Sequence, residues 1–428
     1  VTQPATPDGG TPARLLLALV IPGIIVGTAS ALLLIALTVV SNQLEDVLWD
    51  WLPATVGVGA DSPAWIIGVL TLAGLAVGLV VTFVPGHAGP DPAATELAGP
   101  PLPLVVLPGL ALAVILTLAS GVSLGPENPI LGINIGLTVA IGLRVLPRMP
   151  GAAWSALAFA GTIGAMFGTP IGAALLISET SDTSGRPLWD RLFGPLVAAA
   201  AGSLTMLLLG GESFALTIAP YPQHELIDLV SGSLIAVGAA LLGLVAIYAF
   251  PLVHAAFHRL RQPILVLTAG GFVLGLLGVI GGPISLFKGL DQMKELTETA
   301  ADYAPAGLAL LAVVKLVAVL VASGSGFRGG RIFPSVFAAV ALGLFVYALF
   351  PGVPEAIALG ASLIGILVAV TRSGWLAIFM AGLMVGDASV VPELVVIVLP
   401  AWLVVTGRPE MVVRPANPRT VDGDPAAA

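Results

Sequence analysis

The chain has 428 residues, 57% of them hydrophobic and only 9% charged, with a mean hydropathy of +1.05. Its 24 acids and 16 bases give a formal charge of −8, which argues against a nucleic-acid partner. The absence of cysteine excludes a disulfide framework and a thiolate metal site.

Charge-free runs of bilayer-spanning length cover 15–44, 62–86, 97–126, 149–178, 192–211, 229–253, 262–287 and 332–354. They do not alternate as barrel strands do, so the predicted class is an all-α polytopic membrane protein. Residues 1–13 are polar, rich in proline and predicted disordered. They lack the charged start of a signal peptide, so the first run is expected to be a retained helix, interrupted at Pro22-Gly23. Basic residues at Arg14, Arg259, Arg261, Arg408, Arg414 and Arg419 place both termini in the cytoplasm.

The first membrane half is predicted over 14–211, a loop over 212–228, the second half over 229–412 and a disordered tail over 413–428, with no soluble regulatory domain. Apolar pieces at 303–314, 316–327, 356–371 and 373–386 are too short to span a bilayer. They are expected to be half-helices and broken helices of the kind that line ion sites. Gly125, Pro129, Pro195 and Gly202 recur 205 residues later as Gly330, Pro334, Pro400 and Gly407, and Gly161 recurs 204 residues later as Gly365. About five such matches arise by chance in a chain this rich in glycine and proline. Their corresponding placement, at a helix start and in a late span, points to an inverted repeat.

The most informative stretch is Gly121–Gly136. Glu127 stands there between uncharged residues 97–126 and 128–143. An acid at such depth is costly and marks function. Gly125, Pro126, Asn128 and Pro129 prevent a helix from running through the site, and Pro129 suits the first turn of a new one. The free amides of that turn make a site for a small anion, for which the carboxylate competes.

These residues resemble the CLC superfamily of chloride channels and proton-coupled chloride transporters over nearly the whole chain. The family's G-x-E-G-P motif is matched by GPENP (Gly125 to Pro129), its G-x-F-x-P motif by GRIFP (Gly330 to Pro334), and GHAGP (Gly86 to Pro90) stands at its G-S-G-x-P motif. The phrases DSPAWIIGVLT, GHAGPDP, GVSLGPE and GFRGGRIFP resemble the bacterial YfeO-like branch in particular. The resemblance implies two inverted repeats with broken and re-entrant helices. It also implies a homodimer in the bacterial inner membrane, and an anion path in each subunit with no bound metal or cofactor. By position, Glu127 is the implied gate. Gly125, Asn128 and the amides near Arg331, Ile332 and Phe333 are implied to face the anion, most simply chloride. Helix amides bind an anion through partial charge and so allow its release.

Three positions depart from the family pattern. His87 replaces a serine that donates to the ion; it is either an N–H donor to the anion or a capping histidine at the membrane surface. Met411 replaces a tyrosine donor, and a thioether donates nothing. Thr180 occupies the place of the glutamate of the proton-coupled members, which implies channel-like or loosely coupled transport. Glu179 is the nearest substitute, or else a solvated helix end. Lys315 is expected in an ion pair or snorkelling, or adding to the anion's field; Arg328, Arg331 and Arg372 are expected as ordinary loop arginines at the membrane surface, with attraction of anions into a vestibule as the alternative. The readings kept beside chloride are fluoride or another anion exchanged for protons, and a cation-coupled carrier using Glu127 as ligand. An enzyme is not expected. Gly121–Gly125 matches G-x-S-x-G, with Ser123 and His224 or His254 as candidate hydrolase residues, but an apolar helical run precedes it instead of a strand. Gly324–Gly329 matches G-x-G-x-x-G without a preceding strand.

Overall fold

The computed structural model describes residues 12–95, 99–179, 187–209, 211, 214–221 and 224–413. The predicted tails and Thr180 lie outside them, apart from Pro12, Ala13 and Val413 at their edges. The first half runs α1 (Ala13–Leu17), α2 (Val20–Asp46), α3 (Leu52–Val56), α4 (Pro63–Phe83), α5 (Leu107–Ala119), α6 (Glu127–Val145), α7 (Gly151–Phe167), α8 (Ile171–Glu179) and α9 (Leu188–Leu208). The second runs α10 (Leu226–His258), α11 (Pro263–Gly281), α12 (Leu290–Glu298), α13 (Pro305–Gly324), α14 (Ile332–Leu349), α15 (Glu355–Thr371), α16 (Gly374–Val385) and α17 (Val391–Val405). Nine helical segments among the described residues are long and apolar enough to cross a membrane. Helices are what such runs must form in lipid, because each satisfies its own backbone. Proline opens α4, α11 and α13, where its missing N–H costs nothing.

The halves are built alike and inverted. In the first, α7 packs on α2, α6 and α9; in the second, α15 packs on α10, α14 and α17. The α4–α11 contact is reciprocal. A Cβ on Gly74 would strike the Leu267 carbonyl, and one on Gly271 would strike the Leu70 carbonyl. That is the signature of a two-fold relation acting inside one chain.

Several expected elements differ. The interruption of the first span falls at Ala18-Leu19, and Pro22 sits harmlessly in the first turn of α2. The run 97–126 is not a span. Pro100, Pro101 and Pro103 delay the helix until Leu107, and it ends at Ala119, before Gly121 turns the chain at φ 88°. The run 149–178 is two helices, parted by Gly168 at φ 67° and Pro170. Conversely, 303–314 and 316–327 are not half-helices. The single helix α13 carries Lys315 at its centre, because a charge interrupts hydropathy without interrupting a helix.

Candidate functional site

The site forms where two broken segments meet. After α5 the chain extends through Ser123 to Gly125; after α13 it extends through Phe327 to Gly330. The two stretches pair in a one-rung antiparallel bridge. The Gly125 N–H donates to the Gly330 carbonyl at 2.9 Å, and the Gly330 N–H donates to the Gly125 carbonyl at 2.6 Å. Each strand then turns into a helix, at Glu127 and at Ile332. The space beside both glycines is taken by one side chain. A Cβ on either would run into the Glu127 carboxylate.

Glu127 is completely buried. Its Oε1 accepts the Phe333 backbone N–H at 2.7 Å, in the first turn of α14, and its Oε2 makes no hydrogen bond among the described residues. An unpaired amide at a helix start is thus satisfied by an anionic group from the other half of the chain.

Two cavities approach this carboxylate. One, of about 300 Å³, is lined by Pro126 and Phe333 together with Thr38, Asn42 and Lys288. The other, of about 350 Å³, is lined by Asn128, Arg331 and Ile332 together with Glu179, Arg372 and Met411. The residues on either side of Glu127 in sequence therefore face different cavities.

The remaining expected residues are sorted as follows. Arg331 lies beside the site, but its guanidinium is committed to the carbonyls of Met411 and of Thr95 and lies 5.6 Å from the Phe250 ring centre. Met411 is buried, lines the second cavity and contributes that carbonyl. His87 is not brought to the group. It has φ 52°, no helix starts at it, and its Nδ1 donates to the Val81 carbonyl at 2.9 Å. Glu179 is no free helix end, for it accepts the Ser373 hydroxyl and, at 2.9 Å, the Trp375 N–H, capping α16.

Two arginines and a lysine depart from the expected surface or ion-pair roles. Arg328 is buried and donates to the carbonyls of His87, Ala88, Gly89 and Gly326. Arg372 lines the second cavity, where its Nε and Nη1 make no hydrogen bond. Lys315 is fully buried and donates to three carbonyls, of Ser285 at 2.8 Å, Leu286 at 2.9 Å and Phe287 at 2.7 Å. That loop in turn braces the stretch before Glu127. The Phe287 N–H donates to the Gly121 carbonyl at 2.9 Å, and the Ser123 hydroxyl to the Ser285 carbonyl at 3.3 Å. Sequence reasoning missed Phe214 and Phe167. Phe214 stacks on Phe333 with ring centres 5.8 Å apart, and Phe167 packs against both rings. Nothing in the polar loop that carries Phe214 signals this contact. No hydrolase arrangement forms around Ser123, since His254 is joined to Asp91 and His224 to Glu393.

Known proteins share this architecture. The chain is 52% identical to the "Putative ion-transport protein YfeO" of Escherichia coli (strain K12 / DH10B) over 402 residues, 94% of this chain and 96% of that protein. A slow cyanobacterial Cl⁻/H⁺ antiporter superposes with a TM-score of 0.76 at 18% identity, over 91% of this chain and 95% of the other. A CLC-type fluoride/proton antiporter superposes with a TM-score of 0.69 at 19% identity, over 92% and 97%. Residues 72–406 match the family model described as voltage gated chloride channel, and the chain belongs to that family, the CLC family of anion transport proteins.

Proposed function

We propose that the protein carries a small inorganic anion, chloride first, along a path in each subunit of a homodimer in the bacterial cell membrane, with Glu127 as the gate. One observation carries this reading. A buried carboxylate, whose sequence neighbours line two different cavities, accepts a backbone N–H at the start of a helix from the opposite half. A carboxylate held in this way occupies a position suited to an anion. When it swings out or takes a proton, the Phe333 amide becomes available to the transported ion. The positive charge of Arg372, which lines the second cavity, draws anions toward that point. Channel-like or loosely coupled transport follows from Glu179, which is engaged in capping α16 and poorly placed to shuttle protons.

Fluoride in exchange for protons is the second reading. It is favoured by Met411, which lines the second cavity and whose thioether donates no hydrogen bond. Purified protein in liposomes, with chloride, fluoride and pH recorded together, separates these readings. Anion flux down its gradient is expected, with little proton movement. Proton uptake driven uphill by a chloride gradient defeats the loose-coupling claim, and absence of any anion flux defeats the proposal.

A further inference from the structure

A cluster away from the anion path has the chemistry of a metal site. Asp91 lies in the strap that follows α4, while His254 and His258 stand one turn apart near the end of α10. Asp91 Oδ2 lies 2.8 Å from His254 Nε2 and 3.8 Å from His258 Nε2. One ligand atom from each residue lies within 4.8 Å of the other two.

The ligands are oriented from behind. Asp91 Oδ1 accepts the Ala93 N–H at 2.9 Å, which leaves Oδ2 directed at the histidines. His258 Nδ1 contacts the His254 backbone carbonyl at 2.9 Å. A carbonyl only accepts, so Nδ1 carries the proton and the neutral ring keeps its lone pair on Nε2, toward Asp91. A plain hydrogen bond between His254 and Asp91 accounts for two members of the group. It does not account for His258, whose Nε2 stops short of hydrogen-bond distance.

We propose that Asp91, His254 and His258 bind a first-row divalent transition metal, Zn²⁺ above all, with water completing the coordination. Two imidazoles four residues apart on a helix with one carboxylate suit zinc, and are too nitrogen-rich for magnesium or calcium. His258 is exposed at a helix end beside Arg259, so the metal reaches it from water.

Occupancy would fasten α10 to a strap already tied to the anion path. Arg328 holds the carbonyls of His87, Ala88 and Gly89 in that strap, and Arg331 holds the carbonyl of Thr95. Arg331 directly precedes α14, whose Phe333 N–H binds Glu127. The metal would therefore brace the segment that positions the gate.

The test uses full-length protein purified without a polyhistidine tag and stripped with chelator. Titration with Co²⁺ is expected to give visible ligand-field bands saturating at one ion per chain, abolished by Zn²⁺. Zn²⁺ alone is expected to raise the melting temperature, and chelator to reverse it. Asp91→Asn, His254→Gln and His258→Gln should each weaken Co²⁺ binding by more than about tenfold. If His254→Gln fails to fold, the exposed His258→Gln still decides the matter. No Co²⁺ uptake by the stripped wild type, or wild-type affinity in His258→Gln, overturns the site.

Discussion

The economy of the centre lies in two glycines and one acid. Gly125 and Gly330 hold their strands close enough to exchange two hydrogen bonds, and the space left by their missing side chains is filled by the Glu127 carboxylate. Removing the charge while keeping the shape tests Glu127 as the proposed gate. Glu127→Gln is expected to conduct with no dependence on external pH, measured as liposome flux across a pH series. An unchanged pH profile would remove Glu127 from the mechanism. Gly330→Ala tests the packing claim. The added methyl meets the carboxylate and is expected to cost roughly 1–3 kcal/mol as overpacking. Combined with Glu127→Ala, which removes the obstructing atoms, that cost should largely vanish in a double-mutant cycle of thermal unfolding. Additive effects would show that the carboxylate does not fill this space. The acid itself was legible in the sequence, because a lone charge deep in an apolar stretch is expensive. Its partner was legible only through the family resemblance, which by position set the amides near Phe333 at the anion site, since nothing near Phe333 itself marks its N–H as the donor. His87 was the converse case. Its position in a motif suggested a donor, but the local backbone at φ 52° turns the ring onto Val81.

Among the elements, helix identity was mostly written in the apolar runs, and helix continuity was not. Proline and glycine at 100–103, 121 and 168–170 shortened two apparent spans, whereas Lys315 left α13 whole. The reason is that hydropathy reports burial, while continuity depends on backbone geometry. Lys315 illustrates the limit. Its three acceptors come from residues 285–287, and contact with a loop some thirty residues upstream leaves no local trace. The lysine acts as a clamp, holding a loop that holds Gly121 and Ser123. Lys315→Met keeps much of the volume but strands three carbonyls whose acceptor needs the ammonium now meets. A destabilisation of roughly 2–4 kcal/mol is expected from buried acceptors left unpaired. The melting temperature in detergent should fall clearly below that of wild type. Wild-type melting would mean that the clamp adds nothing to stability.

At the scale of the molecule, the two halves meet at the Gly125–Gly330 bridge, and the proposed path runs through that contact. The reciprocal α4–α11 packing, with Gly74 on Leu267 and Gly271 on Leu70, shows the same two-fold relation as the Gly125–Gly330 bridge. The proposed path requires the cavity beside Pro126 and the one beside Asn128 to lie on opposite sides of the glutamate. The native chain makes that geometry directly testable, because it has no cysteine and every introduced thiol reports alone. Asn42→Cys lines the first cavity and Arg372→Cys the second. In sealed vesicles of known orientation, a membrane-impermeant thiol reagent should label Asn42→Cys from one side only and Arg372→Cys from the other only. With Glu127 intact, each should resist the reagent from the far side, because the proposed path is closed at a buried carboxylate bonded to Phe333, whose ring stacks on Phe214. Glu127→Ala should leave the sidedness of these large reagents unchanged while raising anion flux, since removing one side chain opens room for an ion and not for a bulky thiol reagent. Labelling of both positions from the same side would place the cavities in one vestibule, and the path could not then pass through Glu127.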